Sequence, residues 1–318
     1  MSVMSKAVAS AVLIACLAAL APEGAAQPLT IYQIQFTENE DGSSDYDAEL
    51  VDCAGGICTA KWAGFGLPRL MLQDPDYPDG WGGIQVKDWT VGDLYDNVAV
   101  GDWVALTDVQ VYEKVGTTFL YFQEDFVSGY TIVSQGNPLP PYSTVAVSDV
   151  PAPLEGPPGE WYVENHDAEL YESMRLVVRD VTVTEMDLGK AADNYNLQDA
   201  EGANCWAADY MNEDVGDNGY HPFVRVGQYF CAVSGVFEQY TNLSNGWDYY
   251  QLVTLSSAGL FLCGDLNHDG CVDHADLGIL LSDWGCTGGD CPGDCDGDGD
   301  TNHADLGILL GHWGEGCP

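Results

Sequence analysis

The sequence predicts a mainly β chain that ends in a small α-helical domain. Three observations predict this. Short alternating apolar runs separated by turn residues fill residues 27–262, two stretches within them share one order of motifs, and a string near the C-terminus recurs letter for letter.

Residues 1–26 read as an export signal, outside the fold. Met1–Lys6 is a short positively charged start, and Ala7–Ala21 is an apolar run of secretory length. Gly24-Ala25-Ala26 offers small residues for cleavage, which makes Gln27 the expected mature N-terminus. The run is shorter than the ~20 residues a span requires, so no membrane insertion is expected. Leu13-Ile14-Ala15-Cys16 loosely resembles a lipobox that would leave Cys16 lipidated, but the apolar run continues through Leu20. Secretion, to the medium or the cell surface, is the expectation.

Ten cysteines follow the leader: Cys53, Cys58, Cys205, Cys231, Cys263, Cys271, Cys286, Cys291, Cys295 and Cys317. An even number behind an export signal reads as disulfides, with connectivity left open. A zinc knuckle at Cys286, Cys291 and Cys295 fits an oxidising compartment poorly and lacks a neighbouring CxxC pair.

Nine Lys and Arg stand against fifty Asp and Glu, a formal net charge of −41, and no cation follows Arg225. Such a field attracts cations and repels phosphate backbones and anionic lipid, so nucleic acid is not expected as a partner. With 46% apolar residues the chain can still build cores.

Within residues 27–142, strands are expected at Leu29–Ile34, Gly83–Val86, Trp103–Leu106, Val109–Tyr112 and Thr118–Phe122, with an exit at Asn137–Pro141. Within residues 143–262 they are expected at Met174–Thr184, Tyr195–Asp199, Val224–Val226, Tyr229–Val236 and Tyr249–Leu255, after a Pro/Gly-rich loop at Pro151–Gly159. The two regions look like distant copies. Val98-Ala99-Val100-Gly101-Asp102-Trp103 is matched by Val224-Arg225-Val226-Gly227-Gln228-Tyr229, and Ile84–Asp88 parallels Asn196–Asp199. This order of steps resembles oligonucleotide/oligosaccharide-binding (OB-fold) barrels, with two β-sandwich domains as the alternative architecture.

Residues 263–318 carry the most specific signal. In 265–276, oxygen-bearing side chains fall at loop positions 1, 3, 5, 9 and 12: Asp265, Asn267, Asp269, Asp273 and Asp276. Cys271 offers a backbone carbonyl at position 7. Residues 294–305 repeat this with Asp294, Asp296, Asp298, Asp300 (by its carbonyl), Asn302 and Asp305. A hard cation such as calcium needs six to eight wrapped oxygens, and Gly270 and Gly299 at position 6 permit the turn. Two complete copies predict two bound Ca²⁺ ions. Behind each loop, His274–Leu281 recurs at His303–Leu310. Leu277, Leu280, Leu281 and Trp284, and their counterparts Leu306, Leu309, Leu310 and Trp313, mark one apolar helix face each. No amphipathic helix enters either loop.

Two loop–helix units without entering helices resemble type I dockerins. The resemblance covers 263–318 and implies antiparallel packing of the units, two calcium ions, and docking onto a cohesin-like or cell-surface protein receptor. The family's recognition positions fall here on His274, Ala275, His303 and Ala304, a departure from the Ser-Thr type pair common among cellulosomal members.

No nucleophile elbow, HExxH, P-loop or dinucleotide fingerprint is present, so catalysis is not expected. His166 and His221 read as surface or turn residues. Trp62, Trp81, Trp89, Trp103, Trp161, Trp206 and Trp247, with Tyr240, Tyr249 and Tyr250, are expected to serve mostly as core, with some free to stack on a glycan ligand. The expected function is a secreted, non-catalytic, calcium-binding protein whose β-domains bind a ligand or partner and whose C-terminal module attaches them to a surface or complex. An accessory subunit or enzyme of extracellular polysaccharide degradation is the first alternative, and an OB-type nuclease or nucleic-acid binder the second.

Overall fold

The computed structural model describes residues 27–317 apart from 65–67, 91–92, 115–116, 124–127, 189–193, 216–218, 289–290 and 296–298. The expected leader, Cys16 included, lies outside the described residues. Among them, no helix is long and apolar enough to cross a membrane.

Strands β1 (Leu50–Trp62), β2 (Arg69–Gln73), β3 (Gly83–Asp88), β4 (Trp103–Lys114) and β5 (Thr117–Phe122) close into a five-strand barrel. Neighbours run antiparallel around the ring, except that β3 and β5 are parallel. The first half of β1 pairs with β4 and its second half with β2, so β1 must bend between them. Ala54-Gly55-Gly56 supplies the bend. Gly55 has φ +79°, and a Cβ there would sit 1.6 Å from the Val104 carbonyl oxygen, so only glycine fits. β6 (Gly129–Ser134) extends the ring along β4. Two short helices fill the barrel ends. α1 (Ile31–Gln35) buries Ile31 and Ile34, and α2 (Asp93–Asn97) buries Leu94.

The plan recurs downstream. β7 (Ser143–Thr144), β8 (Leu154–Glu155) and β9 (Trp161–Tyr162) are short edge pieces that precede the second ring. That ring comprises β10 (Arg175–Met186), β11 (Asn194–Gln198), β12 (Asn204–Ala208), β13 (Tyr229–Asn242) and β14 (Trp247–Val253). It closes in the same order, with β12 and β14 parallel in place of β3 and β5. Gly235 lies where β13 passes from β10 to β14, and a Cβ there would meet the Val253 carbonyl oxygen at 2.1 Å. β15 (Leu260–Phe261) lines the outer edge of β13. The chain is therefore mainly β with OB-like barrels, and the sandwich alternative is set aside.

Several expected elements are corrected. Leu29–Ile34 is not a strand: Thr30 and Gln33 form a reciprocal capping box that starts α1. Val224–Val226 is a turn leading into β13: the Val224 amide donates to the His221 carbonyl within the turn, and the Gly227 amide donates across to the Val183 carbonyl of β10. Trp103–Leu106 and Val109–Tyr112 are one strand that continues through Asp108 at φ +50°. Topology pairs β3 with β12, so Ile84–Asp88 corresponds to 204–209 and not to Asn196–Asp199. The correct landmark is a buried carboxylate that ends the third strand in both copies, Asp88 and Asp209. Asp88 holds the Thr90 and Tyr95 amides, and Asp209 the His221 amide. His221 is consequently buried, not on the surface. Of the aromatics named for the barrels, Trp62, Trp206, Tyr249 and Tyr250 are buried, Trp161, Trp247 and Tyr240 pack against the cluster of Leu188, Trp206 and Tyr249, and Trp89 is exposed, so most of them serve the core.

The barrels share a buried seam. Ala60, Trp62 and Met71 of the first pack on Ala208, Tyr210, Met211, Val236 and Val253 of the second. Arg69 lies 4.4 Å above the Trp62 ring, pairs with Glu238 at 3.3 Å and donates to the Tyr210 hydroxyl at 3.2 Å. Farther along, Gln35 Nε2 and the Thr118 amide, both of the first barrel, donate to Glu172 Oε2 at 3.4 and 3.2 Å. Glu169 accepts from the Tyr250 hydroxyl at 2.7 Å through Oε2, while its buried Oε1 meets no donor among the described residues. Glu172 stands beside it. Burial pushes the Glu169 carboxyl up to about 8 and the Glu172 carboxyl well above its usual range, so this pair holds a proton at neutral pH.

Three disulfides are present: Cys231–Cys263, Cys271–Cys317 and Cys286–Cys291. The expectation that all ten cysteines pair is corrected, because Cys53, Cys58 and Cys205 are buried thiols, pushed up to about 12 by desolvation. They are core side chains.

Candidate calcium loops and their exposed face

The candidate ligands sit on two loop–helix units of the same build. In the first, Asp265 Oδ2 accepts from the Gly270 amide at 2.9 Å, and Asp276 Oδ1 accepts from the Leu266 amide at 2.8 Å. Asp276 Oδ2 accepts from the Asp273 amide at 2.8 Å. In the second, Asp294 Oδ2 accepts from Gly299 at 2.9 Å, and Asp305 accepts from Cys295 and Asn302, each at 2.7 Å. The last loop carboxylate thus ties the loop start to the helix start in both copies. Each helix is N-capped by the position-9 residue: Asp273 accepts from the Ala275 amide and Asn302 from the Ala304 amide. These capping boxes open α3 (His274–Ser282) and α4 (His303–Gly311).

The first loop can be tested for fit to a cation. Asp265 and Asp276 are buried, and neither forms an ion pair with any described Lys, Arg or His. Burial and the neighbouring Asp276 push the Asp265 carboxyl up. Two buried, adjacent carboxylates without a compensating cation leave room for a hard divalent ion, whose charge they would balance. Asn267 and Asp269 stand at the loop mouth, joined by the Asn267 Nδ2 to Asp269 Oδ2 bond at 2.8 Å, and the chain turns there through His268 at φ +57° and Gly270 at φ +83°. Cys271, whose carbonyl is the position-7 candidate, is held by its disulfide to Cys317. In the second loop, Asp294, Asp300, Asn302 and Asp305 occupy the corresponding backbone positions. Asp296 and Asp298 lie outside the described residues.

The apolar helix faces are only partly buried. Leu280 and Leu309 alone of the eight markers are buried, and they meet Val272 and Cys295 in a small core. Leu281 and Leu310 are 55% and 54% exposed, and Trp284 and Trp313 are 41% and 39% exposed. Two nine-residue helices have little surface to bury on one another, so the outer half of each apolar stripe faces solvent. There, His274 meets Trp313 edge-on at 4.9 Å, and His303 meets Trp284 at the same distance. The pairs cross between the units and are related by the internal repeat. Sequence inspection identified these four residues without their pairing, which depends on the antiparallel packing of α3 and α4.

The unit is fastened to the second barrel. Cys231 of β13 is bonded to Cys263, and Tyr229 stacks on His312 with ring centroids 5.7 Å apart and planes 7° from parallel. A Cβ on Gly270 would lie 1.7 Å from the Phe223 ring, so this glycine serves the loop turn and the contact with the barrel together.

No family model matches the chain, and no curated protein matches it. Solved structures that match include a murine DNA-binding protein bound to double-stranded DNA, at 11% identity and TM-score 0.29, covering 64% of this chain and 89% of that one. Another is fission yeast Pot1 with single-stranded DNA, at 10% identity and TM-score 0.24, covering 66% and 79%. A third is a replication protein A heterotrimer bound to single-stranded DNA, at 10% identity and TM-score 0.23, covering 48% and 35%. Beside these DNA-bound matches, the exclusion of nucleic acid drawn from net charge is withdrawn. Its physical flaw is that a net charge of −41 averages over the surface, whereas Arg69, Lys87 and Lys114 line a single groove. At such low similarity the matches assign no ligand to this chain.

Proposed function

We propose that this chain is an exported, non-catalytic, calcium-organised adaptor: its loop–helix module docks on a surface or complex and carries the two barrels as its ligand-binding part. The observation that carries this reading is the repeated pair of exposed faces, His274–Trp313 and His303–Trp284 flanked by Leu281 and Leu310, mounted on loops whose buried carboxylates suit a cation. Asp265, Asn267, Asp269, the Cys271 carbonyl, Asp273 and Asp276 would hold one Ca²⁺. Asp294, Asp296, Asp298, the Asp300 carbonyl, Asn302 and Asp305 would hold the other. The ion's role is to neutralise the clustered carboxylates and fix the loops, which sets the angle between α3 and α4 and so the spacing of the exposed pairs.

An exposed tryptophan–leucine patch on a small module is what an interface anchor requires. Ala275 and Ala304 leave the surface beside the histidines low, so that a receptor can approach the helix starts. The type I dockerin resemblance supports a protein receptor of the cohesin kind. The test is co-sedimentation of the purified chain with envelope fragments of the producing organism, in calcium and in chelator. Retention is expected in calcium alone and is lost on Leu281→Asp with Leu310→Asp. Equal retention in chelator, or by the double variant, contradicts the reading.

A further inference from the structure

Beside the seam, a groove of about 280 Å³ runs between β2, β3 and β5 of the first barrel and β13 of the second. It collects Arg69, Lys87 and Lys114, three of the nine cations in a chain with fifty carboxylates. Lys87 and Lys114 form no ion pair among the described residues. Lys87 Nζ instead rests 3.4 Å from the centre of the Phe119 ring. Two further polar groups on the groove walls are buried without a hydrogen-bond partner among the described residues, Gln85 Oε1 and Arg69 Nε. Arg69 is paired with Glu238, but Lys87 and Lys114 have no carboxylate within ion-pair distance among the described residues, so in a protein so rich in carboxylates the groove keeps two cations open to an anion from outside. Burial, together with Arg69 and Lys114, pulls the Lys87 ammonium down to about 7, and Glu172 and Glu238 offset this only in part.

We propose that this groove binds an acidic oligosaccharide, with a carboxylate or sulfate of the sugar seated against Lys87, Lys114 and Arg69. The inference deepens the reading of the barrels as the ligand-binding part, and it names the class of ligand. The remaining lining favours sugar. Gln85, Thr117, Thr241 and Asn242 offer amides and hydroxyls for ring hydroxyls, and Tyr240 adds an aromatic wall. Phe119 already carries Lys87 on its face, and Tyr121 is packed by Trp89, Tyr112 and Phe119, so these two rings are committed to neighbours instead of serving as platforms for splayed bases. The volume suits one or two sugar units of a longer chain and not a large compact ligand.

Calorimetric titration of the intact, calcium-loaded chain tests this with four probes: an oligogalacturonate, a sulfated galactan oligosaccharide, their neutral parent and oligothymidine. One or both acidic sugars should bind, with the neutral parent about tenfold weaker or worse. Binding of the uronate alone names a carboxylate as the seated group, and binding of the sulfated sugar alone names a sulfate. Lys87→Gln with Lys114→Gln should weaken binding by about tenfold or more, whereas Arg179→Gln, on an exposed strand position of the second barrel, should leave it unchanged. Unaltered thermal unfolding of the double variant separates lost binding from lost fold. The proposal is overturned if neither acidic sugar binds, if the neutral parent binds equally, if oligothymidine binds more tightly than both, or if the double variant retains full affinity. None of these outcomes bears on calcium-dependent retention by the envelope, which involves a different face.

Discussion

Replacing Glu172 by Gln should stabilise the two-barrel body at pH 8 and flatten its response to pH. Glu169 and Glu172 are buried at the seam, and each carboxyl is pushed above its usual value of 4.5, Glu169 to about 8. Glu113, which accepts from the Ser44 amide at 3.1 Å, is raised to about 7 by burial. A carboxyl whose folded value lies above its unfolded value keeps its proton in the folded state after the unfolded chain has lost it. Stability is therefore greatest below about pH 4.5 for this contribution and falls as pH rises towards 8. With each tenfold change in proton affinity worth about 1.4 kcal/mol, the raised carboxyls together imply a loss of roughly a few kcal/mol across that window. The amide oxygen that Glu172→Gln introduces can still accept from Gln35 Nε2 and the Thr118 amide, and the new NH₂ can donate to the orphaned Glu169 Oε1. Recovery of roughly 2–4 kcal/mol at pH 8 is expected, a rise in Tm of roughly 5–10 °C. Scanning calorimetry from pH 5 to 8 in saturating calcium reads this directly, because calcium holds the loop carboxylates ionised and so removes the slope of the same sign that the raised Asp265 carboxyl would add. A wild-type Tm that climbs from pH 5 to 8, or a Glu172→Gln variant that melts lower at pH 8, would refute the reasoning.

The Cys271–Cys317 bond closes a segment of 46 residues and should contribute about 4 kcal/mol to the module by restricting its unfolded chain. Cys271→Ser with Cys317→Ser should then make the module's fold depend on calcium, read as loss of His274–Trp313 near-ultraviolet dichroism in chelator and its return on calcium addition. Gly270→Ala forces a Cβ into the Phe223 ring at a left-handed turn, and is expected to destabilise the loop by about 1–3 kcal/mol and free the module from the second barrel. Limited proteolysis at the barrel–module junction measures that release; unchanged resistance would show that the Phe223 contact does not hold the module.

Strands marked by dense apolar runs, such as β5 and β10, were legible in the sequence, and so was the repeat that signals two similar regions. β1 was not, because Cys53-Ala54-Gly55-Gly56 reads as a turn until its two partners, β4 and β2, are seen to need a bend there. α1 was hidden by the alternation of Leu29–Ile34, although the Thr30–Gln33 capping box was a signal available without coordinates. The loop positions of the C-terminal units were readable because their spacing is local. The crossed His–Trp pairs and the groove were not, since Lys87 and Thr241 meet only through a seam joining strands far apart in sequence. Net charge misled for the same reason, as it records no position.

Calorimetric titration of the intact chain with calcium tests the central claim most directly. Saturable uptake of two ions per chain is expected, abolished by Asp265→Ala with Asp294→Ala while the barrels stay folded. Absence of uptake, or uptake unchanged in that double variant, would contradict it.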